Sequence, residues 1–222
     1  MVATTTKQCR TLLVGITGSA MILDIAAYLS RLKEEFTEEL ECLVSEAAQG
    51  IVSPTWLAAT VASRMYTEWI EPDGAAPHIA ATRRADLFVV LPATANSICK
   101  CAAGIADTSV TAAVSASLSP VVFAPAMNEA AWESGPVRRA VRLLRDDGHY
   151  VIEPESFRSA TEQREGRGRA VSQERLLSRL RHLLAVRQAA NYLPTAVGRP
   201  AQTPSTNSSP PPTAPRLQRS SR

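Results

Sequence analysis

The chain has 222 residues, of which 45% are hydrophobic and 20% charged, enough for one sizeable core plus a tail. Its net charge is only +3, aromatic residues make up 5%, and no basic patch contains interleaved aromatic residues, so we expect no nucleic-acid partner. No apolar run approaches the roughly 18 residues of a membrane span, and no secretory signal is evident. We therefore expect a cytoplasmic protein without a membrane partner. The cysteines lack zinc spacing, which predicts free thiols and no metal site: Cys9, Cys42, Cys99 and Cys101.

The first predicted element is an apolar strand at Arg10–Ile16, followed by Thr17-Gly18-Ser19 and a helical pattern from Ala20 to Leu32. A strand, a glycine turn and a helix start can bind a phosphate through backbone N–H groups, the helix dipole and a hydroxyl group. The spacing matches neither the P-loop nor the dinucleotide fingerprint. Glycine is also the ordinary residue of a tight turn, so a ligand site and a plain turn are both open here.

A second strand is predicted at Glu41–Ser45, with Ser45 at its carboxyl end. If this strand neighbours the first, Ser45 lies beside the first glycine loop. The elements that follow are a helix around Gly50–Ser63, an edge strand at Trp69–Ile70, and a helix that begins at Pro77, places His78 in its first turn and ends at Arg84.

The central strand is the apolar run Asp86–Leu91, whose composition is typical of a buried parallel strand. The turn Pro92–Ser97 (PATANS) connects it to a helix predicted at Ile98–Ala106. Open α/β sheets bind ligands at the carboxyl ends of central strands. Three polar side chains of this turn can fix the edge of a flat ligand: Thr94, Asn96 and Ser97. Taken alone, the six residues are more typical of an ordinary turn.

The second half of the chain continues the alternation of strands and helices. A strand at Val121–Ala124 ends in Pro125–Asn128, and a helix at Pro136–Asp146 leads to a strand at Tyr150–Ile152. This alternation predicts an α/β fold: a single doubly wound, Rossmann-like or flavodoxin-like parallel sheet with helices on both faces.

The polar, glycine-punctuated stretch Phe157–Ala170 predicts a mobile loop, and Ser172–Val186 predicts an amphipathic helix. Proline and serine enrichment then predicts a disordered tail. We accordingly divide the chain into an extension (1–9), one domain (10–187, with a flap at 155–170) and a tail (188–222).

Five motifs occur in order along residues 10–155: GITGS (15–19), His78-Ile79, PATANS, GIAD (104–107) and PAMNEAAW (125–132). Together they resemble the homo-oligomeric flavin-containing cysteine decarboxylases. One departure is Ala131, where that family usually has methionine before the tryptophan. Without such flanking motifs, His149 and His182 are predicted to be structural.

The resemblance implies a bound FMN, with FAD also possible. Its phosphate and ribityl chain would lie against Gly15, Thr17, Gly18, Ser19 and Ser45, and its ring near Thr94, Asn96 and Ser97. His78 corresponds to the active-site histidine, and Asn128 with Met127 to the turn that holds the substrate. The resemblance also implies a homo-oligomer, either a trimer or a dodecamer of trimers.

The chemistry of this family explains those residue types. A C-terminal cysteine has no electron sink for losing its carboxylate. If a flavin first takes a hydride from the carbon that carries sulfur, the resulting C=S group can accept the electrons released with carbon dioxide. A neutral histidine such as His78 titrates in the range that a base needs. Asn128 can donate to the carboxylate without adding a charge that opposes decarboxylation.

Cysteine positions favour one branch of the family. Members that act on 4′-phosphopantothenoyl-cysteine carry a flap cysteine that helps return the hydride, whereas this chain has no cysteine beyond Cys101. The chain therefore resembles the peptidyl-cysteine decarboxylases, which oxidise the C-terminus of a ribosomal precursor peptide to an aminoenethiol, as in aminovinyl-cysteine formation in lanthipeptides. The flap arginines would suit an anionic peptide end, or belong to a solvated loop: Arg158, Arg164, Arg167 and Arg169.

Three alternatives stay open from the sequence. The first is a 4′-phosphopantothenoyl-cysteine decarboxylase of coenzyme A synthesis that uses another proton donor. The second is a flavin prenyltransferase, whose family is not marked by this combination of histidine and PAMN. The third is a flavin-bound regulatory subunit of a phosphatase, against which the retention of His78 and Asn128 argues.

Overall fold

A computed structural model describes residues 7–61, 63–67, 76–158 and 167–192, excluding the side chains of 157–158, 167–168 and 188–192. The strands are β1 (Cys9–Ile16), β2 (Thr37–Val44), β3 (Arg64–Tyr66), β4 (Leu87–Ala93), β5 (Val121–Asn128), β6 (Tyr150–Val151), β7 (Glu155–Arg158) and β8 (Arg167–Ala170). The α-helices are α1 (Ile25–Glu35), α2 (Glu46–Gln49), α3 (Pro54–Val61), α4 (Pro77–Arg84), α5 (Ala95–Ala102), α6 (Ser109–Ala116), α7 (Glu129–Glu133), α8 (Gly135–Asp146) and α9 (Gln173–Tyr192), and a 3₁₀ turn at Ala20–Asp24 precedes α1.

The strands form one sheet in the order β3-β2-β1-β4-β5-β8-β7, and β6 also pairs with β5. The pairs among β1 to β6 are parallel, whereas β8 is antiparallel to both β5 and β7. The order reverses between β1 and β4, since β1 continues to β2 on one side and β4 to β5 on the other. A doubly wound sheet has its binding crevice at such a reversal, outside the carboxyl ends of the strands.

Both faces of the sheet are covered, which explains the continuous apolar runs in its central strands. Alternate residues of β1 enter different clusters: Leu12 packs on one face and Leu13 on the other. Leucines of α1, α3 and α9 cover the first face, and apolar residues of α5, α6 and α8 cover the second. The predicted doubly wound α/β fold with helices on both faces is therefore confirmed.

The predicted helix at Ile98–Ala106 is displaced in the structure, where α5 begins within PATANS and ends before Gly104. Gly104 has a φ of +70°, a left-handed conformation that favours glycine and ends the helix. Helix α6 was not predicted from the sequence. The sequence signal for α6 is the capping box at Thr108. The Thr108 hydroxyl accepts from the Thr111 N–H, and the Thr111 hydroxyl accepts from the Thr108 N–H.

A mobile loop was predicted at Phe157–Ala170. The prediction is wrong for the first and last residues of this stretch, which lie in the antiparallel strands β7 and β8. The predicted edge strand at Trp69–Ile70 lies outside the described residues. Among the described strands, β3 lies at this edge of the sheet. Helix α9 extends beyond the predicted Val186 to Tyr192, so the first residues of the predicted tail are helical. Within the part of the chain described, no helix combines the length and apolar character needed to cross a membrane.

Candidate functional site

The loop after β1 is bonded to the end of β4. The Thr17 hydroxyl donates to the Pro92 carbonyl at 2.6 Å and accepts from the Thr94 N–H at 3.3 Å. Thr17 is buried, so both bonds are shielded from water. One hydroxyl thereby joins the first glycine loop to PATANS, two segments that the sequence analysis treated as separate parts of a ligand site.

The same loop approaches two further elements. A Cβ atom on Gly18 would lie 2.9 Å from both the Cβ atom and the carbonyl oxygen of Ala47 in α2, so only glycine fits this position. Ser19 caps the 3₁₀ turn, and its hydroxyl lies 3.4 Å from the Ala126 carbonyl of β5. The loop that follows β1 therefore contacts the ends of two other strands, β4 and β5, and the helix α2.

Gly15 lies within β1 rather than in the loop. It pairs with Leu43 and Val90, and a Cβ atom there would lie 2.7 Å from Cγ1 of Val110 in α6. The structure therefore gives Gly15 a packing role beneath the site. Its predicted contact with a cofactor remains a prediction.

Ser45 directly follows β2, as predicted, and its N–H donates to the Ile16 carbonyl at 3.0 Å. This bond places Ser45 next to Thr17 at the carboxyl edge of the sheet. The Ser45 side chain is buried, yet its hydroxyl has no hydrogen-bond partner among the described residues. Since buried hydroxyl groups are nearly always bonded, this oxygen is available to a ligand in the crevice.

PATANS is the junction of a strand and a helix rather than a free turn. Pro92 and Ala93 end β4, and Thr94 is the N-cap of α5, with its hydroxyl accepting from the Ser97 N–H at 3.1 Å. The two hydroxyl groups of Thr94 and Ser97 also lie 2.9 Å apart. Asn96 is exposed in the first turn of α5. The sequence explains this geometry, because threonine is a favoured N-cap residue.

The predicted substrate turn continues β5. Asn128 ends this strand and caps α7, with its Oδ1 accepting from the Ala131 N–H at 2.7 Å. The Asn128 side chain is exposed, and this bond fixes its amide so that Nδ2 remains a donor. Met127 precedes it in a half-buried position and packs against the core on the second face.

The hairpin β7–β8 lies against this turn, which the sequence analysis did not foresee. Met127 pairs with Arg169 and Asn128 with Gly168. Arg169 also donates from Nη2 to Glu129 Oε1 at 2.6 Å. The Arg169 Nε atom is buried without an acceptor among the described residues. Arg158 lies in β7, its side chain undescribed, and Arg164 lies outside the described residues.

His78 is the second residue of α4 and is buried, with only 8% of its surface exposed. Helix α4 leads into the start of β4, so its first turn points towards the carboxyl ends of the strands. Arg84 holds the other end of the helix by donating to both carboxylate oxygens of Glu41, at 3.2 and 2.8 Å. Tyr66 donates to the same carboxylate at 3.1 Å.

This tether fixes α4 on the sheet, and the hydrogen bond to Glu41 raises the pKa of Arg84. The tether was not predicted from the sequence, although Glu41, a glutamate directly before the apolar run 42–44 of β2, was its signal. His149 is structural, as predicted, since its Nδ1 accepts from the Val121 N–H at 3.1 Å.

Comparison with known proteins identifies similar chains. A family model described as Flavoprotein matches residues 2–184. Mersacidin decarboxylase from Bacillus sp. (strain HIL-Y85/54728) is 34% identical over 143 residues, which cover 64% of this chain and 73% of that protein. The coenzyme A biosynthesis bifunctional protein CoaBC of Bacillus subtilis (strain 168) is also 34% identical, over 147 residues. That match covers 65% of this chain but 36% of CoaBC, so this chain corresponds to about a third of that relative.

A solved structure is similar over most of its length. The crystal structure of the FMN-dependent cysteine decarboxylase SpaF superposes with a TM-score of 0.66 at 30% identity. The superposition covers 79% of this chain and 97% of SpaF.

Proposed function

We propose that this chain, which belongs to the Flavoprotein family, is an FMN-dependent decarboxylase that oxidatively removes the carboxylate of a C-terminal peptidyl cysteine. The observation that supports this most directly is the junction of Thr17 with Pro92 at the reversal of strand order. It joins the first glycine loop to PATANS, the two segments against which the resemblance places the flavin phosphate and the flavin ring.

The residues of this crevice fit a flavin. The unbonded, buried Ser45 hydroxyl and the backbone around Gly18 would hold the phosphate, with Ser19 and Thr17 beside them. The first turn of α5 would present Thr94, Asn96 and Ser97 to the ring, as the resemblance implies. FMN rather than FAD is supported by similarity to SpaF, which is FMN-dependent.

When bound, a flavin supplies the two-electron acceptor that oxidation of cysteine requires. His78 would take the proton released from the substrate, and its burial in α4 shields it from bulk water. Asn128 Nδ2 would donate to the substrate carboxylate, while its Oδ1 stays bonded to the α7 backbone. Because the amide is neutral, it orients the carboxylate without stabilising the charge that must leave. The products are an aminoenethiol and carbon dioxide.

A peptide substrate is supported by the lack of any cysteine after Cys101, which leaves the flap without a thiol to return the hydride. Similarity to mersacidin decarboxylase supports the same choice. A role in the biosynthesis of a lanthipeptide-type antibiotic and a homo-oligomeric state are parts of this proposal.

A second candidate is a 4′-phosphopantothenoyl-cysteine decarboxylase of coenzyme A synthesis. It is favoured by the 34% identity to CoaBC, which equals the identity to mersacidin decarboxylase. Another donor of the flap would then have to replace the missing thiol.

The test is aerobic incubation of the purified protein with synthetic peptides that end in cysteine, followed by mass spectrometry. We expect a yellow protein and a loss of about 46 Da, the sum of carbon dioxide and two hydrogen atoms. His78→Asn should abolish this loss and keep the flavin spectrum, whereas His182→Asn, on the exposed side of α9, should change neither.

Two results would overturn the proposal in different ways. A protein that leaves every peptide intact but decarboxylates 4′-phosphopantothenoyl-cysteine belongs to coenzyme A synthesis. A colourless protein that does not take up added FMN is not a flavoprotein enzyme.

A further inference from the structure

Arg169 connects the hairpin β7–β8 to the turn that carries Asn128. It lies in β8 directly across from Met127, which together with Asn128 forms the predicted substrate turn. Its Nη2 donates to Glu129 Oε1 at 2.6 Å, and Glu129 is the first residue of the helix that Asn128 caps. The ion pair therefore adds a side-chain contact to the strand pairing that holds the hairpin on the Asn128 turn.

The ion pair leaves one donor of Arg169 unused. The Nε atom is buried and has no acceptor within the described part of the chain. Guanidinium groups bind through several N–H donors in a fixed fork, and buried donors normally have a partner. The Nε donor lies beside the turn predicted to hold the substrate, so a bound molecule is the natural source of its acceptor.

The charge around Arg169 indicates which kind of substrate group its Nε donor would bind. Glu129 compensates the guanidinium, and the two side chains are 25% and 32% exposed, so the pair offers a donor with little net charge. A cation bound to the leaving carboxylate would stabilise the ground state and oppose decarboxylation. A main-chain carbonyl of the peptide accepts a hydrogen bond without that effect.

We propose that Arg169 is a substrate-binding and positioning residue, which holds the hairpin on the Asn128 turn through Glu129 and donates from Nε to a main-chain carbonyl of the peptide. This inference rests on the proposed function and adds a specific contact to it. Lysine at this position keeps the charge and can keep the pair with Glu129, but it removes the Nε donor and the fixed fork of the guanidinium.

The experiment compares Arg169→Lys with Arg175→Lys. Arg175 is the matched control because its Nε pairs with Glu155 at 3.1 Å, at the base of the same hairpin but away from the Asn128 turn. We expect Arg169→Lys to raise KM for a peptide ending in cysteine about tenfold, with kcat changed less than about twofold. Arg175→Lys should leave both constants unchanged.

Peptide binding gives a readout that does not depend on turnover. In the flavin-loaded His78→Asn background, Arg169→Lys should weaken the Kd of a labelled peptide about tenfold. Peptides in which one main-chain carbonyl at a time is replaced by a methylene should identify the contact. In the protein with Arg169, one of these analogues should bind about tenfold more weakly than the parent peptide. In the Arg169→Lys variant, that analogue and the parent peptide should bind with equal affinity.

Glu129→Gln separates the contact from simple support of the fold. With Arg169 left uncompensated, its cation should attract the substrate carboxylate, so kcat should fall about tenfold without a rise in KM. An unchanged peptide Kd in Arg169→Lys overturns the inference, as does an equal loss in Arg169→Lys and Arg175→Lys. If the protein without substitutions binds no peptide that ends in cysteine, the proposed function itself fails. That result is distinguishable from failure of the Arg169 contact, because it appears before any variant is compared.

Discussion

The Thr17 hydroxyl donates to the Pro92 carbonyl at 2.6 Å across the reversal of strand order, and accepts from Thr94 on the same segment. This contact holds the ends of β1 and β4 at a fixed separation. The candidate crevice opens at that edge, so its shape depends on a hydroxyl that has no other partner in the described structure.

Thr17→Val keeps the shape of the side chain and removes both bonds. Because the Pro92 carbonyl is then buried without its donor, we expect a loss of about 1–3 kcal/mol in the free energy of unfolding, together with weaker retention of flavin on gel filtration. Urea unfolding and visible absorbance measure the two effects. The control is Thr60→Val, since the Thr60 hydroxyl bonds within α3 in an exposed position and should matter little to either measurement.

Gly18→Ala should reduce stability because the new Cβ atom would lie 2.9 Å from the backbone of Ala47. Loop and helix must separate to admit it, at a cost of about 1–3 kcal/mol. Gly50→Ala is the matched change, because its nearest neighbour would be 3.7 Å away and its φ is −68°. We expect Gly50→Ala to be neutral or to stabilise by up to about 1 kcal/mol. Equal effects in the two variants would contradict the packing argument.

Ser45→Ala should affect the empty and the flavin-loaded protein in opposite directions. Without flavin, the variant loses an unbonded buried hydroxyl, so its free energy of unfolding should stay the same or rise by about 1 kcal/mol. With FMN, the Kd should increase about tenfold, because the ligand loses a hydrogen bond. Calorimetric titration and thermal unfolding test this pair of effects. In contrast, Ser53→Ala removes the hydroxyl that accepts from the Trp56 N–H and should destabilise the protein without changing the Kd.

Arg84→Met should loosen α4 and the placement of His78. It leaves Glu41, whose side chain is 7% exposed, without a cation, although Tyr66 still donates to it. Loss of one partner of a buried pair is strongly destabilising, but Arg84 is 43% exposed, so we expect a smaller loss of about 2 kcal/mol. Turnover should fall as well. Arg83→Met, on the exposed side of the same helix, is the control, and unfolding curves that match between the two variants would exclude the tether.

His149 predicts a pH dependence of stability. Partial burial lowers the pKa of His149, against the opposing effect of Asp147, and its Nδ1 accepts from the Val121 N–H. The unfolded chain therefore binds a proton at higher pH than the folded protein. This contribution to stability is complete above the ordinary histidine pKa of about 6.5 and is lost as the pH falls towards the lower, folded value.

The measurement is chemical unfolding between about pH 7.5 and 5, across this titration range. His149→Asn keeps an acceptor for Val121 and should flatten the decline in stability at low pH. His182→Asn on α9 should retain the full decline. A decline of the same size in His149→Asn would assign the effect to other groups.

The sequence determined the sheet and the approximate position of the crevice. Continuous apolar runs such as Asp86–Leu91 require burial on both faces, and their alternation with helical patterns leaves few topologies besides a doubly wound sheet. Residues at the carboxyl ends of such strands, including Ser45 and Thr94, must then lie along one edge. These inferences depend on local periodicity and on chain order, which a sequence contains.

The tertiary structure alone decided which side chains meet. The bond from Thr17 to Pro92 joins residues 75 positions apart, and the pair of Arg169 with Glu129 joins residues 40 apart. No local pattern encodes such contacts, because they depend on strand register and on side-chain directions set by packing. The hairpin β7–β8 was missed for the same reason. Most of its strand residues are polar, and pairing with β5 and with each other, rather than their own propensity, makes them strands.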